Sequence, residues 1–464
     1  MDAYSDVPVD VLGDAEFDAS FELLPQLVNL RRADELMPLG PNAVYTASAV
    51  LWLLVYQRVN KGATLEVAVK HLIESASAMC PDNKRIREGT LSKGTAGYTA
   101  GRNRLTRGVV EWFASEVSDS IIATAPLTKV GPVTGAQRVS VVDGSTILLA
   151  PEPALQTAFP PASNQHGEGV WPVALLAVPH ELESGAATMP EVGAMYGPNA
   201  VSETELARAC FARLPAGSVV MGDSNFGIFS VAQAAAQCGQ SFLFRLTPSR
   251  FQSLRKRATL VNEGEGFQTW SLTWTPSSKD RQTNPHLPAA AAMNVLIHEV
   301  VVHENLTLWL VTSLPDPAPS AATLYGRRGN IETDISNIKL VLDTENIRAR
   351  SEAMFRKELL TSMVSYNLVV QFRRQAAELA QVPPKRLSFT SVWTTYTTFL
   401  LPHHFADPAA WRAQYRKALH YAMRDKLPNR PGRNYERAAY AKRPKSNQFK
   451  KRSKPANNHQ TKPK

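Results

Sequence analysis

The sequence predicts an α/β protein: a mixed sheet with helices on its faces, a helical segment before it and further helices after it. Three observations predict this. Residues 15 to 125 carry Ala-, Val- and Leu-rich stretches with helical spacing. From Gln137 onward, short β-branched runs alternate with segments of helical length. Between residue 248 and about residue 320 that rhythm gives way to a stretch holding Trp270, Trp274 and β-like runs, and helical periodicity returns near Tyr325.

The elements follow in order. Ala43 to Leu72 contains few breakers and reads as helix. Arg102, Arg104 and Arg107 precede the apolar run Val109, Val110, Trp112, Phe113. On one continuous helix Arg104 and Arg107 would be neighbours and form a small basic face, either for a polyanion or merely solvated. Val139 to Val142 is a β-branched run that stops at Asp143, with Thr146 to Leu149 as a second short run. Pro172 to Val178, Ser218 to Met221 and Ser241 to Leu246 read as strands, and Thr204 to Leu214 and Ser230 to Cys238 as helices. Val295 to Val302 and Leu306 to Val311 are β-like runs of a β-rich insertion. Helices resume from about Tyr325 to Ala380 and again at Ala409 to Met423.

Bulk properties narrow the class. A chain of 464 residues exceeds one ordinary core, so two or three domains are expected. No run of about 18 apolar residues marks a membrane span. The first residues, Met1-Asp2-Ala3-Tyr4, lack the basic start and apolar stretch of a leader. Cys80, Cys210 and Cys238 are far apart and show no metal-ligand spacing, which fits a reducing cytoplasm. The formal net charge of +10 is unevenly placed: Arg424 to Lys464 holds 14 Lys or Arg against Asp425 and Glu436, so this segment carries +12 and the rest −2. Such a tail suits a polyanion, or simply keeps the chain dissolved. Its last 20 or so residues, rich in Asn, Gln and Pro, are poor candidates for folding.

Two acids, Asp143 and Asp223, each close a short apolar strand. At that edge of an α/β sheet chemistry is usually done, and strands about 5 Å apart allow both to reach one metal. Two carboxylates about 4 Å apart repel by roughly 4 kcal/mol at an effective dielectric near 20, and a divalent cation removes the penalty. Oxygen-only ligands with open positions suit Mg²⁺ or Mn²⁺, and two such ions serve phosphodiester cleavage. Asp143-Gly144 also reads as a turn, and two aspartates alone leave both readings open.

The third acid has a more specific setting. In Tyr325-Gly-Arg-Arg-Gly-Asn-Ile-Glu-Thr-Asp-Ile-Ser-Asn-Ile-Lys339, the apolar residues Ile331, Ile335, Ile338 and then Leu342 share one helical face. Glu332 and Lys339 then share a flank, roughly 10 Å apart. Extended backward, the same helix would carry Arg328 on that flank. Asp334 lies about 200° round from Glu332, so the two cannot serve one site.

The spacing Tyr325-x2-Arg328-x3-Glu332-x6-Lys339 resembles the insertion sequence 4 family of DDE transposases. Val141-Val-Asp-Gly-Ser-Thr146 and Met221-Gly-Asp-Ser-Asn-Phe-Gly227 resemble that family's two aspartate motifs, and Leu308-Trp-Leu-Val-Thr-Ser-Leu-Pro-Asp316 its strand ahead of the acidic helix. The resemblance covers roughly residues 15 to 445. It implies a ribonuclease-H-like mixed-sheet catalytic core with a β-rich insertion, a helical N-terminal DNA-binding domain, a helical C-terminal region and a basic tail. The corresponding boundaries are 1–130, 131–248, 249–320, 321–390 and 391–464. It further implies Asp143, Asp223 and Glu332 as catalytic ligands of two Mg²⁺ (or Mn²⁺) ions, with Tyr325, Arg328 and Lys339 gripping phosphates. Relatives stack a flipped base on a tryptophan of the insertion, a role Trp270 or Trp274 could take here unless, as a tryptophan more often does, each fills the core. Arg245, ending a strand, and the Arg104/Arg107 face are further candidate DNA contacts. The implied partners are double-stranded transposon ends and target DNA, bound by a homodimer at the nucleoid. Ser224 and Asn225 depart from the residues relatives carry after the second aspartate, without removing a ligand.

Two rival readings remain at this point: a DNA-binding relic without activity, which would not need all three acids, and another ribonuclease-H-like nuclease, which would lack the Tyr-Arg-Glu-Lys spacing. No Gly-x4-Gly-Lys loop, His-Glu-x2-His or Gly-x-Ser-x-Gly motif supports an ATPase, zinc protease or serine hydrolase.

Overall fold

The computed structural model describes residues 27–428, apart from residues 41, 75–79, 81–83, 165–166, 305, 342, 344–346, 348 and 400–407. Most of the basic tail, and Leu342 of the acidic-helix face, therefore lie outside the described residues.

The N-terminal part is helical. Its main helices are α1 (Ala47–Val59), α2 (Leu65–Glu74), α3 (Ala96–Arg104) and α4 (Arg107–Ala123). The side chain of Thr46 caps α1, and that of Thr106 caps α4. The Thr106 cap corrects one expectation. Leu105 and Thr106 are extended, with ψ of 119° and 151°, so the chain breaks between α3 and α4. Arg104 and Arg107 thus sit on different helices and form no common face.

The sheet follows: β1 (Thr128–Gly131) and β2 (Gly135–Gln137) pair with each other, and the other strands form one sheet. These are β3 (Val139–Leu148), β4 (Pro161–Asn164), β5 (Gly167–Glu181), β6 (Glu191–Ala194), β7 (Val219–Gly222), β8 (Ser241–Arg245), β9 (Thr259–Gly264), β10 (Phe267–Trp274), β11 (Met293–His303) and β12 (Leu306–Thr312). The order is β4-β5-β3-β7-β8-β12-β11-β10-β9, with β6 also on β5. β3, β7 and β8 run parallel at the centre, and antiparallel strands extend the sheet on both sides. The sheet is mixed, as expected. The segment set apart as an insertion contributes β9 to β12 to this same sheet, joined through β12 on β8.

β3 corrects a second expectation. Asp143-Gly144 is no turn, because one strand runs straight through it. Asp143 pairs with Val178 and Gly144 with Ala177 of β5. Pairing to a distant strand holds the glycine extended, and a local dipeptide signal carries no trace of that.

Helices cover both faces. Val142, Val220 and Phe244 pack under α5 (Glu203–Phe211), α6 (Phe229–Gln237) and α7 (Pro248–Arg255). On the other face, Val139, Val141, Val219, Met221 and Leu243 pack under α8 (Ala318–Gly326) and α9 (Asn330–Val341). α10 (Glu352–Leu379) joins the N-terminal helices to the β5 side of the sheet, and α11 (Phe389–Phe399) and α12 (Pro408–Ala422) close over it. No described helix is long and apolar enough to cross a membrane. Cys80, Cys210 and Cys238 are free thiols.

Candidate active site

The sheet register aligns the key residues. Val141, Met221 and Leu243 form one row across β3, β7 and β8, facing α8 and α9. Side chains alternate along a strand, so the next row on that face is two residues further on. That row is Asp143, Asp223 and Arg245. The strands' apolar rows thus run out where two carboxylates and a cation begin, under the helix that carries Glu332.

α9 presents Glu332 by the expected periodicity. Ile331, Ile335 and Ile338 are buried, and Glu332 is exposed. Asp334 points elsewhere: it is buried, and Lys385 Nζ donates to its Oδ2 at 2.8 Å. Arg328 is not on α9. It lies in a single 3₁₀ turn, Arg327–Gly329, between α8 and α9, and Tyr325 belongs to α8. This turn swings the guanidinium in among the acids. Arg328 Nη2 lies 3.2 Å from Asp143 Oδ2 and 4.0 Å from Asp223 Oδ2, and Nη1 lies 3.3 Å from Glu332 Oε1. Lys339 Nζ reaches Ser145 Oγ at 3.2 Å, one residue beyond Gly144 on β3. The acids, Tyr325, Arg328, Arg245 and Lys339 therefore gather where β7 and β8 end and β3 runs on beyond its pairing with β7.

Sequence reasoning missed a fourth carboxylate. Glu203 opens α5 on the opposite face of the sheet, and its Oε2 accepts from Asn225 Nδ2 at 3.3 Å. Its sequence context, the capping box Ser202-x2-Glu205, gives it only the look of a helix start.

The acids outnumber the nearby cations, and the electrostatics reflect it. Burial pushes the Asp143 carboxyl up to about 6. Arg328 pulls it down, while Asp223 and Glu203 add to the rise, so the ion pair does not offset burial and like charge together. Burial also raises the Glu203 carboxyl, with Asp223 contributing. Tyr325 is buried and its hydroxyl has no hydrogen-bond partner among the described residues. Burial raises it to about 12, so it stays a donor at neutral pH.

Other sequence candidates fall away from this site. Trp270 and Trp274 are each 5% exposed. Trp270 packs edge-on to Phe251 with Arg255 stacked over its ring, and Trp274 packs edge-on to Phe229. Neither indole is offered to a base, because both close the core between β10 and the helices on that face. Arg104 donates to the Tyr45 carbonyl, and Arg107 is paired with Glu111 at 2.7 Å.

Hard oxygen donors in excess of cationic charge suit a divalent ion. As they stand, no three His, Cys, Asp or Glu side chains among the described residues are gathered tightly enough to hold one. Arg328 takes up the space between the carboxylates. The donor chemistry fits such an ion once that guanidinium moves to another anion.

The family model for the transposase DDE domain matches residues 135–368, half of the chain and the whole of the sheet and acidic helix. This chain belongs to the DDE transposase family. No curated protein matches it. Transposases of this kind cut DNA and transfer strands, so DNA is the partner the family implies. The matched segment opens just before β3 and closes within α10, so it takes in Asp143, Glu203, Asp223, Arg328 and Glu332 together.

Proposed function

We propose that this transposase is of the insertion sequence 4 type, with Asp143, Asp223 and Glu332 as its catalytic acids on a ribonuclease-H-like core. The observation that carries the proposal is the convergence of those three acids, from β3, β7 and α9, on the single guanidinium of Arg328. The strand order β6-β5-β3-β7-β8, antiparallel on one side of β3 and parallel on the other, supports the core assignment. The spacing Tyr325-x2-Arg328-x3-Glu332-x6-Lys339 supports the subfamily.

The roles follow from charge and position. Asp143, Asp223 and Glu332 would hold two Mg²⁺ or Mn²⁺ ions. When bound, the ions activate the attacking oxygen and stabilise the leaving one. Arg328 exchanges its carboxylates for a phosphate of the transposon end, for which its planar fork is well shaped. Tyr325, whose hydroxyl has no partner among the described residues, donates to a second phosphate oxygen. Arg245 and Lys339 flank the row and add positive charge for the strand on either side. Cleavage frees a 3′ hydroxyl, and that hydroxyl then attacks a phosphodiester of the target, displacing the target's own 3′ oxygen. The helical domain of residues 1–130 would read the inverted repeat, the tail of residues 424–464 would add sequence-independent phosphate contacts, and two copies would pair the ends.

The test is Asp143→Asn. It is expected to abolish Mg²⁺-dependent cleavage of end DNA while DNA affinity, measured by mobility shift, stays within a fewfold. A variant that still cuts would remove Asp143 from the chemistry. A wild-type protein that binds end DNA and never cuts it in Mg²⁺ or Mn²⁺ would favour the relic.

A further inference from the structure

Each aspartate is oriented by one backbone amide. The N–H of Gly144 donates to Asp143 Oδ1 at 3.0 Å, and the N–H of Asn225 donates to Asp223 Oδ1 at 2.8 Å. Both Oδ1 atoms are thus tied down, and both Oδ2 atoms turn to Arg328. Like charge drives the two carboxylates apart, so something must hold the two backbone segments in step.

Glu203 touches both segments. Its carboxylate lies directly against the α-carbon of Gly144, so close that a Cβ there would overlap Oε1 and Cδ. Asn225 Nδ2 donates to its Oε2 at 3.3 Å. Strand alternation explains the geometry. Asp143 points to the α8–α9 face, so Gly144 points to the opposite face, where α5 begins. Only a residue without a side chain at 144 leaves room for the glutamate. Ser202 caps α5 and fixes where Glu203 stands.

We infer that Glu203 is a positioning residue for strand cleavage: its carboxylate bridges the segments that carry Asp143 and Asp223 and so sets the separation of the two aspartates. Glu203 acts from behind the sheet and touches neither the DNA nor the reacting atoms. The inference rests on the assignment of Asp143 and Asp223 as ligands of the ions.

The experiment measures Mn²⁺ binding to the full chain by electron paramagnetic resonance, alongside DNA affinity and thermal midpoint. Glu203→Ala is expected to raise the half-saturating Mn²⁺ concentration about tenfold or more, with DNA affinity unchanged. Glu203→Gln keeps the volume and one acceptor, and is expected to fall between wild type and Ala. Asn225→Ala, a change on an exposed loop, is expected to weaken Mn²⁺ binding in the same direction, and it serves if the Glu203 variants fold poorly. Gly144→Ala displaces the glutamate, so its effect and that of Glu203→Ala are expected not to add in the double variant. Asp143→Asn separates the two claims. If it binds Mn²⁺ like wild type, the assignment of the acids fails, and this inference with it. If Asp143→Asn loses the ion while Glu203→Ala and Asn225→Ala bind it like wild type, the assignment stands and Glu203 has no positioning role. Additive effects of Gly144→Ala and Glu203→Ala would also overturn the bridge.

Discussion

The acid-bearing stretch, midway along β3 and just past the end of β7, and the outer strands β9 to β12 belong to one sheet, yet they treat their unusual side chains in different ways. In the outer strands most such residues are absorbed, although His298 Nε2 stays buried without a partner among the described residues. Trp270 and Trp274 fill the core, Thr269 Oγ1 and His298 Nδ1 pair at 2.9 Å, and Trp309 donates to Glu299. In the acid cluster three carboxylates stand within 4.0 Å of Arg328 with Glu203 behind the sheet, a buried tyrosine hydroxyl has no partner among the described residues, and burial raises Asp143 and Glu203. The difference teaches where to look for chemistry. Rare residue types mark both regions, but only one of them crowds several carboxylates around a single guanidinium, and such clusters of perturbed groups gather at functional sites.

Substitutions at the two ends should therefore fail in different currencies. Asp223→Asn and Glu332→Gln are each expected to lower single-turnover cleavage at least a thousandfold, with little change in stability. If the acids act as a unit, as proposed, the double variant should be hardly worse than either single one. Multiplying losses would mean that the acids act separately. Trp270→Ala should do the reverse. Truncating a buried tryptophan costs about 3–5 kcal/mol of stability, read by denaturant unfolding, while cleavage per folded molecule stays near wild type. A selective loss of cleavage in stable Trp270→Ala protein would restore the base-stacking role that its burial denies.

Acid separates the regions on a smaller scale. His298 is fully buried, and burial lowers it to about 4. A folded-state value below the ordinary 6.5 means that the unfolded chain binds the extra proton. Stability is then full above about 6.5 and is lost as pH falls toward 4. At pH 5 this loss amounts to about 2 kcal/mol. Asp143 works with the opposite sign: its raised value makes the metal-free fold less stable as pH rises from about 4 to 6, with Arg328, Asp223 and Glu203 as the charges facing it. His298→Gln is expected to shrink the stability difference between pH 7.5 and pH 5 by about 2 kcal/mol, measured by urea unfolding. An unaltered difference would show that the outer strands hold no such latent charge.

Much of this organisation was legible in the sequence, and the exceptions share a cause. Local periodicity placed α9 correctly, because Ile331, Ile335 and Ile338 need only their own helix to be read. The short apolar runs located β7 and β8 to within a residue or so at either end. Reading β3 as two pieces failed, because Gly144 is held extended by β5, more than thirty residues away in sequence. The shared Arg104/Arg107 face failed on the single cap at Thr106. The tryptophans stayed ambiguous in the sequence because an indole suits a stacking platform as well as a core, and their burial decides for the core. Glu203 was invisible, since nothing in its neighbourhood tells that the space above Gly144 is where its carboxylate lies. Residues defined by their own element were readable, and residues defined by a partner on another element were not.

Arg328 offers the finest test of the comparison, because there one residue balances the acids and stands where the proposed ions would bind. Its side chain is 15% exposed and within 4.0 Å of all three acids. An ion entering among those carboxylates must displace it, and a phosphate arriving nearby gives it somewhere to go. Ion binding and DNA binding should then assist each other, as linkage requires of two ligands that prefer the same arrangement. Arg328→Ala removes the competitor and leaves the carboxylates to repel one another. The DNA-free protein is expected to bind Mn²⁺ about tenfold more tightly, equivalent to about 1.4 kcal/mol, and to lose most of the further tightening that DNA brings. Cleavage should nevertheless fall, since the phosphate loses its forked donor. Paramagnetic resonance titrations of both proteins, with and without end DNA, read all of these quantities. If Arg328→Ala bound Mn²⁺ no more tightly than wild type, the guanidinium would not be holding the place of a metal ion, and the imbalance at this end of the sheet would need another explanation.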